Sequence, residues 1–249
     1  MSAARTSAQR RRTRARAIAA WTAAALVSIS TGFLVYASTP MMAEPEPLAR
    51  AAEIVTITET GEGVMLTPDQ PDGTGLVFFA GARVDAAAYA HTLSGIAESG
   101  VTVVIARPAL GFAIFESRPL RTWTDRAPGV DSWMVGGHSL GGVRACMYAA
   151  DASNPVSGLV LFGSYCSVDL SDTDLAVLSL AGENDRLSTP QKIADARHLL
   201  PGDAQFETIP GASHAQFGDY GVQPGDGPQE ADDDDVREAI TAAYAAFAR

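Results

Sequence analysis

Positive charge is scarce once the first sixteen residues are passed: only 12 of the 18 basic residues lie beyond them, against 29 acidic ones. So anionic a body repels phosphate backbones and stays soluble, which argues against a nucleic-acid partner. Cysteine is nearly absent, with Cys146 and Cys166 alone. In an oxidising compartment the two could pair; otherwise they serve as small buried hydrophobes. No metal-ligand cluster or phosphate-cradling glycine loop is present, so neither metal nor cofactor is expected. The acidic run at 230–235 lacks the alternating ligands and central glycine of an EF-hand loop, and reads as the solvated start of a helix. No segment recurs with a period of about 20–50 residues, which excludes a solenoid.

The missing positive charge is concentrated at the N-terminus, where Arg5, Arg10, Arg11, Arg12, Arg14 and Arg16 stand without an acid among them. Residues 17–37, "AIAAWTAAALVSISTGFLVYA", follow without any charge and are long enough to span a bilayer as a helix. Arginines on the N-terminal flank favour a cytoplasmic start and place the rest across the membrane. The stretch is longer than the apolar core of a usual signal peptide, which favours an uncleaved anchor. Cleavage after "VYA" or "MMA" is the alternative, and a twin-arginine signal is a weaker one. Both main readings export the body. The expected organisation is a basic segment at 1–16, an anchor at 17–37, a Pro-rich linker at 38–52 and a globular body at 53–249.

Within the body, "EIVTITET" and "EGVMLTP" read as an opening hairpin. Short continuous apolar runs then alternate with helical stretches: "TGLVFFAGA", "VTVVIAR", "SWMVGGHS", "SGLVLFGSYC", "LAVLSLAGEND" and "AQFETIPGASH" are the strands. Strands that are apolar throughout are covered on both faces, so the expected fold is a three-layer α/β domain with a mostly parallel sheet.

The run "GGHSLGG" contains Gly137-His138-Ser139-Leu140-Gly141, a Gly-x-Ser-x-Gly pattern between a strand and a helix. That context holds a serine on a sharp turn, exposed above the sheet edge at a helix N-terminus. A serine hydroxyl needs a base, and the base needs a carboxylate to orient it. Of four histidines, His91 and His198 lie within expected helices, and His138 adjoins the serine but is expected to point away from it. His214 closes "IPGASH" at the mouth of the last strand, where the loops of a parallel sheet gather. Asp185, ending the strand before it, supplies the carboxylate in the order Ser, Asp, His, with Glu183 as its substitute. The oxyanion hole would take the backbone N–H of Leu140 and one from the loop after "LVFFAG", at Ala82.

From about Val55 onward the chain resembles the α/β-hydrolases, and within them the small lidless bacterial branch related to dienelactone hydrolases. "FFAGARVDAAAYA", "GGHSLGG", "AGENDRL" and "GASHAQFGDYG" carry the resemblance. Dienelactone hydrolases proper use a cysteine nucleophile where this chain has Ser139. The resemblance therefore implies ester-type hydrolysis of a small molecule without implying a dienelactone.

Around this core, Gln216, Phe217 and Tyr220 either line the pocket or fold their own loop, and Asp219 could steady the histidine loop. Arg83 either attracts a substrate carboxylate or pairs with Asp85. Phe112, Ile114 and Phe115 form an acyl pocket or, in closer accord with their composition, pack into the core. The short link between "SYC" and "LAVLSL" leaves no room for a large lid. Acyl transfer by the same residues, amide cleavage, or a non-catalytic envelope binding role remain alternatives to ester hydrolysis.

Overall fold

The computed structural model of the chain describes residues 2–248, with side chains from residue 13 onward. Two compact units divide at Thr39 and Pro40. The first is helix α1 (Ser2–Ala37), which runs through the arginines as well as the apolar stretch; Thr13–Ala37 is long and apolar enough to cross a membrane.

The second unit is built on eight strands: β1 (Thr56–Thr60), β2 (Gly63–Thr67), β3 (Thr74–Phe79), β4 (Thr102–Ala106), β5 (Ser132–His138), β6 (Val156–Phe162), β7 (Ala176–Gly182) and β8 (Gln205–Ile209). Their order across the sheet is β1-β2-β4-β3-β5-β6-β7-β8. β1 and β2 form the expected antiparallel hairpin, β2 runs antiparallel to β4, and the remaining pairs are parallel. Alternate side chains along each strand face opposite ways and build two cores. Leu76, Phe78, Ile105, Val160 and Phe162 meet α3 (Ala90–Glu98) and α7 (Asp233–Phe247) through Leu93, Ile96, Val236 and Ile240. Val77, Phe79, Val104, Leu159 and Leu161 meet α4 (Arg121–Thr124) and α5 (Leu140–Ala150) through Trp123, Ala145 and Tyr148. Thr189 caps α6 (Pro190–Asp195). The result is a three-layer α/β fold without a large cap.

Three local expectations change. The Pro-rich stretch read as a linker forms helix α2 (Pro45–Ile54) from its second proline. Pro at the first helical position lacks only an N–H that would have been unsatisfied there. Pro47, Leu48, Ala51 and Ile54, at helical spacing, turn toward the body, and Ala51 is fully buried. The second change concerns the cluster assigned chiefly to the core: Ile114 is 43% exposed, Phe115 52% and their neighbour Leu110 51%. The inside of their loop is taken by the buried Glu116 carboxylate, which accepts from the N–H groups of Ala109, Ser117 and Arg118 and pairs with the Arg118 guanidinium. Burial pushes the Glu116 carboxyl up, but Arg118 outweighs it and holds it below the ordinary value. Polar groups thus fill the interior that the apolar side chains would have occupied.

The third concerns the cysteines, left open between pairing and separate burial. Cys146 in α5 and Cys166 beyond β6 form a disulfide with Cα atoms 5.5 Å apart across 20 residues. A crosslink closing a loop of that length contributes about 3 kcal/mol through the unfolded chain. The double replacement Cys146→Ala with Cys166→Ala should accordingly lower the melting temperature by roughly 6–12 °C for a domain of this size, measured calorimetrically without reductant.

Candidate active site

Ser139 sits between β5 and α5 with φ 52 and ψ −123, a left-handed conformation that costs a non-glycine residue energy. The turn is tight because its neighbours have no side chain: a Cβ on Gly141 would strike the Phe79 carbonyl, and one on Gly137 the Gly141 carbonyl. Hydrogen bonds then hold the serine's own backbone. Its N–H donates to Phe162 O at 3.0 Å, and its carbonyl accepts from Gly142 N at 3.0 Å and from Ser164 Oγ at 2.7 Å. Ser164, two residues before the disulfide, is a support that the sequence reading missed.

At the ends of β7 and β8, Asp185 and His214 are buried together, with Asp185 Oδ2 2.7 Å from His214 Nδ1. The other carboxylate oxygen accepts from Leu187 N at 2.8 Å and Ser188 N at 2.7 Å, so the acid is fixed in place. With a proton held on Nδ1, the imidazole keeps Nε2 as its basic atom. Gly163 (φ 46) faces both groups; a Cβ there would lie about 3.0 Å from Asp185 Oδ2. Glu183, the alternative carboxylate, instead accepts from Gly211 N at 2.8 Å. Asp226, also missed, joins the two loops by accepting from Ala215 N at 2.8 Å and Arg186 N at 3.3 Å. Partial burial raises its carboxyl, but backbone donors outweigh that and lower it.

His138 does not point away from the site. Its ring lies 4.4 Å from that of His214, centroid to centroid, and is buried. Gly81 N–H donates to the Tyr89 hydroxyl at 2.9 Å, which leaves the hydroxyl proton for His138 Nδ1, also 2.9 Å away. A hydrogen-bonded chain therefore runs from the loop after β3 to the ring that lies tilted against His214. Burial, and next the neighbouring His214 charge, hold His138 well below the ordinary histidine value, so it is neutral. The signal available in the sequence was the strand's period of two, which puts His138 on the side of Met134, where α3 and Tyr89 lie.

Leu140 opens α5, and its N–H has no acceptor within the helix. In the loop after β3, Gly81 N donates to Tyr89 and Arg83 N to Gly111 O at 2.6 Å, whereas the Ala82 N–H finds no acceptor among the described residues. Arg83 has φ 57, and Asp85 caps the turn that follows while facing Arg107 at 3.7 Å. Three pocket candidates are buried and engaged by neighbours within the fold. Gln216 is buried with its amide engaged by Ser213 N, Ala231 O and Asp233 Oδ1. Phe217 is fully buried against Phe162 and His138. Tyr220 is buried and donates to Gln223 Oε1 at 3.0 Å. Asp219 ties the same loop to α3 by accepting from Thr92 Oγ1 at 3.0 Å. Phe112 is half-buried beside Phe115.

The family model of the alpha/beta hydrolases matches residues 75–238, and the chain belongs to that family. No curated protein sequence matches it. Among solved structures, the carboxylesterase EstE1 from a metagenomic library is 15% identical, with 80% of this chain and 91% of that one aligned at a TM-score of 0.57. XC6422 of Xanthomonas campestris, a serine hydrolase without a lid, is 16% identical over 78% of this chain and 94% of that one at 0.51. An alpha-beta serine hydrolase homologue from Coxiella burnetii is 14% identical over 76% and 95% at 0.54. At these identities the likeness is one of fold.

A histidine held neutral in the fold but free to protonate when unfolded gives stability that is complete above its unfolded pKa of about 6.5 and is lost as pH falls. His138→Gln should therefore shrink the drop in melting temperature between pH 8 and pH 5. An unchanged drop would show that His138 does not titrate in this way.

Proposed function

We propose that this chain is a serine hydrolase acting on carboxylic esters. The observation that carries the reading is the buried Asp185–His214 pair, bonded at 2.7 Å, in the same cluster of strand ends as the strained Ser139 turn. Ser139 Oγ attacks the ester carbonyl while His214 Nε2 takes its proton. The N–H groups of Leu140 and Ala82 bind the oxyanion, and each such donor typically lowers the barrier by about 3 kcal/mol. The tetrahedral species collapses as His214 returns the proton to the leaving alcohol, giving an acyl-enzyme. Water, deprotonated by His214, then releases the acid and restores Ser139. Arg83 and Phe112 are the remaining candidates for substrate contact, since Gln216, Phe217 and Tyr220 are engaged in the fold. We read α1 as a membrane anchor with its arginines in the cytoplasm, and the disulfide supports an oxidising compartment for the body.

A fluorophosphonate probe on the detergent-solubilised full chain tests this directly. The wild type should label and Ser139→Ala should not, with ester hydrolysis in that variant down by about 10³-fold or more. Asp185→Asn should label slowly. Equal labelling of wild type and Ser139→Ala, or of neither, would refute the assignment.

A further inference from the structure

Among the described residues of the unit beginning at Pro40, five large apolar side chains stand exposed: Met42, Leu110, Ile114, Phe115 and Val222. Soluble proteins scatter such residues singly, and a grouping marks a contact surface. These five lie on segments gathered at one edge, the carboxyl ends of the parallel strands. Leu110, Ile114 and Phe115 belong to the loop after β4, Val222 to the loop after β8, and Met42 adjoins Met41, which bridges Val84 after β3. Backbone hydrogen bonds tie these segments together. Met41 N–H donates to Arg83 O at 2.6 Å, Arg83 N–H to Gly111 O at 2.6 Å, and Glu44 N–H to Asp219 O at 2.8 Å. Arg83 and Leu110 hold positive φ values of 57 and 56, shared among non-glycine described residues only with Ser139. The apolar rim and the Ser139 turn thus occupy the same edge.

A second, independent observation is covalent. The apolar helix ends at Ala37, and Met41 is already bonded into that edge. Four residue steps reach at most about 14 Å. With the helix embedded in a bilayer, that short step keeps Met41, and the edge it is bonded into, within reach of the lipid. We infer that the apolar rim formed by Met42, Leu110, Ile114, Phe115 and Val222 docks on the lipid surface in which α1 is anchored, so that the hydrolase site opens toward membrane-borne esters. The inference rests on the anchor reading of α1 and, for its activity arm alone, on ester hydrolysis. The tether keeps the effective concentration of lipid high, so a modest apolar patch is sufficient. The acidic start of α7 is bonded to the same loop cluster through Asp233 and Gln216. Such an acidic neighbour suits a zwitterionic lipid surface.

The test uses the full chain in phosphatidylcholine vesicles whose tails carry bromine. Both native cysteines are in the disulfide, so a fluorophore can be placed through Ile114→Cys or, before β8 at the opposite edge, through Asp203→Cys. Bromine should quench the label at 114 at least several-fold more than the label at 203. Equal quenching overturns the inference. Flotation with the vesicles reports α1 separately: a chain that floats with an unquenched label at 114 keeps its anchor and loses the docking, and one that does not float loses both. Combined Leu110→Ser, Ile114→Ser and Phe115→Ser should cut hydrolysis of a vesicle-borne long-chain ester at least tenfold and leave a short soluble ester unchanged. Equal loss on both esters assigns the patch to the pocket or the fold and overturns the inference. Hydrolysis of neither ester by the wild type, with the label at 114 still quenched, would reject the ester reading and leave the docking in place.

Discussion

A serine at φ 52 persists only where its surroundings over-determine it, and most of the body can be understood as the means of holding that one turn. Strand β5 enters it from the centre of the sheet, paired on both sides. Two glycines let the backbones of Phe79 and α5 close on it, Phe162 and Ser164 bond its peptide groups, and a disulfide fastens α5 to the segment carrying Ser164. Relaxation of φ would have to break several of these at once. The strain is thus borne by the cooperative core, and the Ser139 hydroxyl is presented without being buried.

The same economy of connection reaches the base. His214 is held from below by Asp185 and at its flank by the His138 ring, which is itself bonded through Tyr89 to Gly81. Gly81 precedes Ala82, so one hydrogen-bonded chain links the imidazole to the N–H proposed as an oxyanion donor. Neutrality of His138 suits the role proposed for His214. In the proposed mechanism a second imidazolium 4.4 Å from the His214 ring would oppose the charge gained when His214 takes a proton, and burial keeps His138 from supplying it.

Much of this was legible in the residues. A parallel α/β sheet brings its loops together at one edge, so Ser139, Asp185 and His214 stand as strand-end residues as soon as the strands are recognised. What escaped was set by neighbours distant in sequence. His138 looked like a bystander because nothing local reveals that Tyr89 and His214 converge over its side of β5. The prolines of α2 masked a helical stripe whose burial depends on the body beside it. Aromatic composition argued for burying Ile114 and Phe115, but the interior of their loop belongs to Glu116 and Arg118, a polar pair that hydrophobic patterning cannot see. Gln216 and Phe217, open between pocket and loop from their place beside His214, fasten that loop, Gln216 to Asp233 of α7 and Phe217 to Phe162 and His138.

The absence of a cap and the apolar rim bear on each other. Only the short segment 163–175 joins β6 to β7, too little to form a large cap, and the five apolar side chains of the rim remain at least 43% exposed. In a freely diffusing protein such an edge would favour self-association. Here the excess of acidic over basic residues makes copies of the body repel one another, which offsets that tendency without masking the edge. Charge repulsion acts over about a Debye length, roughly 8 Å in physiological salt, whereas apolar burial acts only on contact. A surface of neutral lipid escapes the first and receives the second, so the composition of the whole body and the placement of five side chains both suit the proposed docking.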